Sequence, residues 1–237
     1  MALNAATVWE IRPTGAQTNG GGYYNRVPGT SVDYSQQDSA QLTRSDIVTD
    51  GAGTGLSSAT GGFTAAMQGN IIYLTGGGAT AGWYEIVTYI SSNSVTIDRS
   101  AGANKTGVTG TVGGAFKLGG TLDNDFFAAS QKVAGNTICM KIGTYVLGES
   151  VSTGVVGSAT ALFIVEGYKT TRGDTPIGND RPVVSMNSTF TFTSSDFYKY
   201  KNIIFTGAAA DVFIGNAVEC INCSFYNTST TTSRYAF

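Results

Sequence analysis

The chain has 237 residues, 32 of them glycine, of which only 13% are charged, and its formal net charge is -2. Together with abundant Ser and Thr, that composition describes many short strands joined by tight turns and argues against a helical enzyme. There is no histidine, which removes the usual general base, the commonest metal ligand and the centre of a Ser-His-Asp triad; Lys and Arg occur singly, so no basic stripe awaits a nucleic-acid backbone.

The length suits one large all-β domain or two small ones. No apolar run approaches a membrane span, so no membrane partner is expected. The start Met1-Ala2-Leu3-Asn4 lacks the basic and apolar regions of a secretory signal, and synthesis in a cytoplasm is expected.

Residues 1–60 are rich in Gly, Thr and Gln, contain Thr18-Asn19-Gly20-Gly21-Gly22-Tyr23-Tyr24, and hold no lasting hydrophobic period. They read as an extended arm. Trp9 and Ile11 alternate with polar neighbours, and Tyr23, Tyr24 and Tyr34 follow, giving the arm amphipathic anchors. These either dock the arm on partner chains or pack on this chain's own second region.

Residues 61–120 read as a strand meander: Asn70 to Leu74, Trp83 to Val87 and Ser94 to Asp98, broken by Gly76-Gly77-Gly78 and Ser91-Ser92-Asn93. A short run, Ala115 to Leu118, is expected to close a small β-barrel or sandwich.

Residues 121–237 carry apolar segments at Ile138–Ile142, Leu162–Val165, Val183–Val184, Ile203–Phe205 and Ile221–Phe225, with centres about 20 residues apart from the second segment onward, a solenoid-like period. The last two superpose, Asn202 on Asn222 and Phe205 on Phe225. Period-two alternation then stacks Ile203 over Cys223 and Phe205 over Phe225 in successive parallel coils. An antiparallel sandwich with similar spacing is the alternative. The last segment is as apolar as those before it, so the coil stack is expected to be incomplete at the C-terminus and to need continuation or a capping subunit.

Cys220-Ile221-Asn222-Cys223 is nominally a metal-binding pair, but with Cys139 it totals three cysteines, short of a structural zinc set. An offset of three along a strand points Cys220 and Cys223 to opposite faces unless a turn intervenes. No metal and no cofactor are expected. Carboxylates are the remaining catalytic material: Glu149, Glu166, Asp196, Asp211 and Glu219, with Glu166, Asp211 and Glu219 the candidates for glycan cleavage. None forms a motif with another, and the alternative is solvated surface acids. Arg172-Gly173-Asp174 spells an adhesion tripeptide but reads as turn chemistry, with Asp174 capping a turn before Pro176.

Two resemblances bear on function. Gly69-Asn70-Ile71-Ile72, Gly82-Trp83-Tyr84-Glu85-Ile86, Val95-Thr96-Ile97-Asp98-Arg99 and Gly113-Gly114 resemble a module recurring in phage and environmental-virus proteins. Leu122-Asp123-Asn124-Asp125-Phe126-Phe127, followed by Gly135 to Ile142 and Gly143-Thr144-Tyr145, resembles the entry to pectate-lyase-like right-handed parallel β-helices, where an acidic residue precedes a short capping helix. The resemblances imply a bacteriophage virion protein, either a capsid decoration or a projecting fibre subunit. It would be a homo-oligomer, such as a trimer, attached to other virion proteins through its N-terminal region, with Trp9, Ile11, Tyr23 and Tyr24 as attachment residues. The alternatives are a tailspike glycan depolymerase and an adhesin for host surface glycan.

Overall fold

Strands such as Ser94–Ile97 and Tyr198–Lys201 alternate buried and partly exposed residues, whereas Ile71–Thr75 is buried through four successive residues. The computed structural model describes residues 3–154, 157–187, 189–207, 213–215 and 219–227. They form two compact units: one from the N-terminus to Glu10 plus Thr14–Phe116, the other from Ile11–Pro13 plus Lys117 onward.

In the first unit, the Val8–Glu10 part of β1 (Val8–Ile11) pairs antiparallel with β2 (Gly22–Tyr23), Trp9 opposite Gly22. The strands β3 (Leu42–Thr49), β4 (Gly55–Ser58), β5 (Ile71–Thr75), β6 (Gly82–Ser91), β7 (Ser94–Ile97) and β8 (Val108–Val112) then close a barrel in the order β3-β4-β7-β6-β5-β8. Every pairing in it is antiparallel. Ile47, Leu56, Ile72, Leu74, Tyr84, Ile86, Val95, Ile97, Val108 and Val112 fill the interior. The barrel abolishes sheet edges that an open meander would leave unpaired.

Two sequence expectations change here. The closing strand is Val108–Val112 and not the run Ala115 to Leu118. Its central Gly110 makes the segment look like a turn, yet a Cβ there would meet the methyl ends of Ile47, Ile72 and Leu74 at 2.4, 2.8 and 3.0 Å, so the glycine makes room for core side chains. The arm assigned to residues 1–60 is also not an arm. Its last third supplies barrel strands β3 and β4, and the rest is hydrogen-bonded to the same unit, as in Tyr24 N–H to Gly69 O and Gly20 N–H to Gly113 O, 2.8 and 2.9 Å. The Gly20 run marks close packing, because a Cβ on Gly20 would sit 1.9 Å from Ile71 O.

The second unit opens with α1 (Asp123–Phe127), which buries Phe126 and Phe127. Then come β9 (Thr137–Lys141), β10 (Thr144–Val146), β11 (Val151–Ser152), β12 (Phe163–Tyr168), β13 (Val183–Ser185), β14 (Phe192–Ser194), β15 (Tyr198–Lys201), β16 (Ile204–Gly207), β17 (Phe213–Gly215), β18 (Glu219–Ile221) and β19 (Ser224–Asn227). They pair in three parallel sets, β9-β12-β15-β18, β10-β13-β16-β19 and β11-β14-β17. Each set takes every third strand, so consecutive strands alternate among the three sets.

The register Phe205↔Phe225 is as the sequence alignment expected, and Ser224 N–H donates to Ile203 O at 3.0 Å, in line with Ile203 beside Cys223. The uniform 20-residue period is not observed. Ile138 pairs with Val165 (165 - 138 = 27), Val165 with Tyr200 (200 - 165 = 35), and Tyr200 with Cys220 (220 - 200 = 20). The segments at Leu162–Val165 and Val183–Val184 lie in different sets, β12 and β13, so their spacing never measured one repeat. Long loops absorb the difference without disturbing the ladders.

Candidate functional site

The parallel set β9-β12-β15-β18 positions the candidate acids. Along it Ile138, Val165, Tyr200 and Cys220 share one register row, and Val165 and Tyr200 are buried. Their strand neighbours Glu166, Lys199, Lys201 and Glu219 therefore lie on the opposite, outer face. There each acid meets a lysine on β15: Lys201 Nζ to Glu166 Oε2 at 3.0 Å and Lys199 Nζ to Glu219 Oε2 at 2.9 Å.

Glu166 and Glu219 are two strands apart and offset by two residues, a diagonal of roughly 12 Å from strand spacing and rise. Acid pairs that cleave glycosides sit about 5–9.5 Å apart with room for sugar or water between them. Here β15 and its lysines lie between. Glu149 is engaged elsewhere, its Oε1 accepting from Asn124 N–H in α1 at 2.9 Å. Asp196 is half-buried, and Asp211 lies outside the described residues.

A fully buried acid of this unit, Asp123, organises backbone. Its carboxylate accepts from Gly119, Gly148 and Gly120 N–H at 3.0, 2.9 and 3.3 Å. These glycine amides lie outside the helix that Asp123 begins. Asp174 holds a turn as expected, accepting from Lys169, Thr170 and Thr171 N–H at 2.9, 2.8 and 3.2 Å. With that carboxylate turned onto its own loop, the Arg172-Gly173-Asp174 tripeptide is built as a turn.

Of the residues read as attachment anchors, Trp9 and Ile11 have no exposed surface, so they do not present an apolar face to a partner. Trp9 lies against Gly22, where a Cβ would come 2.8 Å from its ring, and Ile11 O accepts from Tyr145 O–H at 3.3 Å. Tyr23 and Tyr24 are half-buried. The Tyr23 hydroxyl donates to Asn25 Oδ1 at 3.2 Å, and Arg26 lies over the Tyr24 ring at 5.7 Å.

Two charged constellations in the first unit escaped the sequence reading. Fully buried Glu85 accepts from Arg26 Nε at 2.7 Å and from Asn4 N–H at 3.2 Å, and burial pushes its carboxyl above the usual range despite Arg26. Buried Asp98 accepts from Glu85 N–H and from Arg99 Nη1, both at 2.7 Å, while the Arg99 guanidinium caps the Tyr84 ring at 4.3 Å. Arg26 and Glu85 are 59 residues apart, and only the fold joins them.

A turn does intervene in Cys220-Ile221-Asn222-Cys223: β18 ends at Ile221, Asn222 takes a left-handed φ of 51°, and β19 starts at Ser224. The alternation that would send an offset of three to opposite strand faces therefore does not run through this bend. Cys139 is buried. Among the described residues, no group of three or more Cys, Asp or Glu is gathered as metal ligands would be, and no helix is long and apolar enough to cross a membrane.

No protein-family model, curated protein or solved structure matches this chain.

Proposed function

We propose that this chain is a structural subunit of a bacteriophage particle, a capsid decoration or projecting appendage whose second unit winds as a right-handed parallel β-helix. The observation that carries the reading is the outer face of β9-β12-β15-β18, where each described candidate acid is neutralised by a lysine of the neighbouring strand. A mixed-charge, self-paired face suits a scaffold surface, whereas a depolymerase needs a groove of free, closely paired acids. Three parallel sets visited in rotation are what a coiled solenoid requires. The motifs similar to phage modules, around Ile71–Ile72 and Trp83–Ile86, fall on barrel strands β5 and β6.

Attachment to other virion proteins is proposed to run through the first unit. Its exposed apolar residues Val32, Val48 and Ile90, 45%, 40% and 60% accessible, take over as anchors from the buried Trp9 and Ile11. Homo-oligomerisation, as a trimer, belongs to the same proposal.

The test is peptide mass spectrometry and antibody labelling of gradient-purified particles. The chain is expected to co-purify in fixed ratio to the major capsid or tail protein and to be labelled on the particle surface. Its absence from purified particles would overturn the reading. Release of oligosaccharides from host polysaccharide, abolished by Glu166→Gln or Glu219→Gln, would favour the tailspike alternative.

A further inference from the structure

The bend that joins β18 to β19 repeats the bend that joins β15 to β16. Asn202 and Asn222 hold left-handed φ values of 57° and 51°, and the Asn222 amide donates to Asn202 Oδ1 at 2.9 Å and to Pro176 O at 2.8 Å. Around Asn202, the flanking residues Tyr200 and Ile203 are both fully buried, so this bend turns positions i-2 and i+1 to the same inner side. Around Asn222 those positions are Cys220, in register with Tyr200, and Cys223, next to Ser224, which is in register with Ile204. Two thiols therefore share one side of a fixed turn. Arg181 clamps that turn, with Nη1 on Asn222 O at 2.6 Å and Nη2 on Ser224 Oγ at 2.8 Å. Cys220 is exposed and Cys223 half-buried, so small reagents reach the pair.

We propose that Cys220 and Cys223 form a reversible dithiol–disulfide site, closed by exchange with a low-molecular-weight disulfide such as oxidised glutathione. Cys223 attacks first. Interaction with the neighbouring Cys220 thiol, with the Ile203 amide and the Arg181 charge beside it, holds the Cys223 thiol below its ordinary range, and the same interaction pushes Cys220 up. The Cys223 thiolate bonds to one glutathione sulfur and expels the other half as thiolate. Cys220 then gives up its proton, bonds to the Cys223 sulfur and expels the second glutathione thiolate. The protein's two thiols are oxidised, the small disulfide is reduced to two thiols, and the two protein protons end on the departing thiolates. Buried Cys139 takes no part.

The experiment uses the full chain equilibrated in glutathione buffers of increasing oxidation, blocked with N-ethylmaleimide, and read by intact mass and peptide mapping. The expected species has lost two hydrogens, carries one Cys220–Cys223 disulfide, and keeps Cys139 alkylatable after unfolding. Cys220→Ser is expected to accumulate a stable glutathione adduct at Cys223. As a check independent of any variant, substoichiometric iodoacetamide on the wild-type chain is expected to label Cys223 several-fold faster than Cys139. Failure to form the 220–223 link at the most oxidising ratio overturns the proposal, as does a disulfide that includes Cys139. Labelling of Cys220 ahead of Cys223 overturns the order of attack.

Discussion

Phe205 and Phe225 lie face to face, their ring centroids 5.3 Å apart and their planes 6° from parallel, although twenty residues separate them in the chain. They are also register partners of β16 and β19, so one contact joins the hydrogen-bond ladder to the aromatic column of the second unit. Phe205→Ala removes a side chain that is 1% accessible and is expected to cost about 3–5 kcal/mol, while half-buried Phe225→Ala costs about 1–2 kcal/mol. A double-mutant cycle in urea should show coupling of about 0.5–1.5 kcal/mol. Additive effects would mean that the rings do not stack in solution.

Gly167 on β12 packs where β15 runs into its bend. A Cβ on it would lie 2.1 Å from Asn202 O and 2.7 Å from Pro182 Cδ, groups that cannot swing aside as a side-chain end can. Gly167→Ala is expected to destabilise the second unit by about 3 kcal/mol, and a midpoint of urea unfolding equal to wild type would count against this packing.

At Asn202, two effects separate by substitution. Asn202→Ala loses the amide contacts to Gly167 O and Asn222 and also strains a left-handed backbone, whereas Asn202→Gly loses only the contacts. The alanine variant should be the less stable of the two by about 1 kcal/mol, as measured by hydrogen exchange at β15 and β18.

Asp46 and Glu85 give the first unit opposite pH dependences. Asp46 accepts from Ser58 Oγ and from Thr60 N–H, which lower its pKa from 3.8 to about 2. It binds fewer protons folded than unfolded, so its contribution is complete above pH 3.8 and is lost as the pH falls toward 2. Glu85 keeps its proton to higher pH folded than unfolded, because burial outweighs Arg26, so stability falls as pH rises from 4.5 through its folded pKa. Both tryptophans, Trp9 and Trp83, belong to this unit, so tryptophan fluorescence melts report it alone. Asp46→Asn should flatten the acid limb of the melting curve against pH, and Glu85→Gln the limb above 4.5; an unchanged profile in either variant would refute that assignment.

Glu166 and Glu219 act on stability weakly in this reading. Their lysine partners are 30% and 21% accessible and Glu219 itself is 52% accessible, so solvent screens both pairs. Glu166→Gln and Glu219→Gln should each shift the unfolding free energy by less than about 1 kcal/mol. A larger loss would reveal a role in the fold beyond a surface ion pair.

What the sequence disclosed follows from how local each cause is. Ile71–Thr75 and Ser94–Ile97 were visible because apolar β-formers crowd those few residues, and the Phe205–Phe225 register because Asn202 and Phe205 recur twenty residues later as Asn222 and Phe225. Leu42–Thr49 stayed hidden because only Ile47 and Thr49 of that strand are buried, leaving little apolar alternation to read. The Gly20 run looked like slack when its lack of side chains serves contact with Ile71 O. Glycine content alone does not tell a flexible segment from one pressed against a neighbour. Strand alternation placed Cys220 and Cys223 on opposite faces unless a turn intervened, and nothing in those four residues announced the left-handed Asn222.

Ile11–Pro13 group with the second unit although the residues on either side of them group with the first. Ile11 O meets the Tyr145 hydroxyl across 134 residues, and the space where Gly143 would carry a side chain is filled by Pro13 Cγ, 2.3 Å from the Cβ position. A ribosome makes this tripeptide long before it makes Tyr145, so it must be held in waiting while the whole barrel sequence emerges. No single cut of the gene separates the halves cleanly: a fragment starting at Lys117 would lack three residues of its own unit, and these would have to be supplied as a peptide in trans.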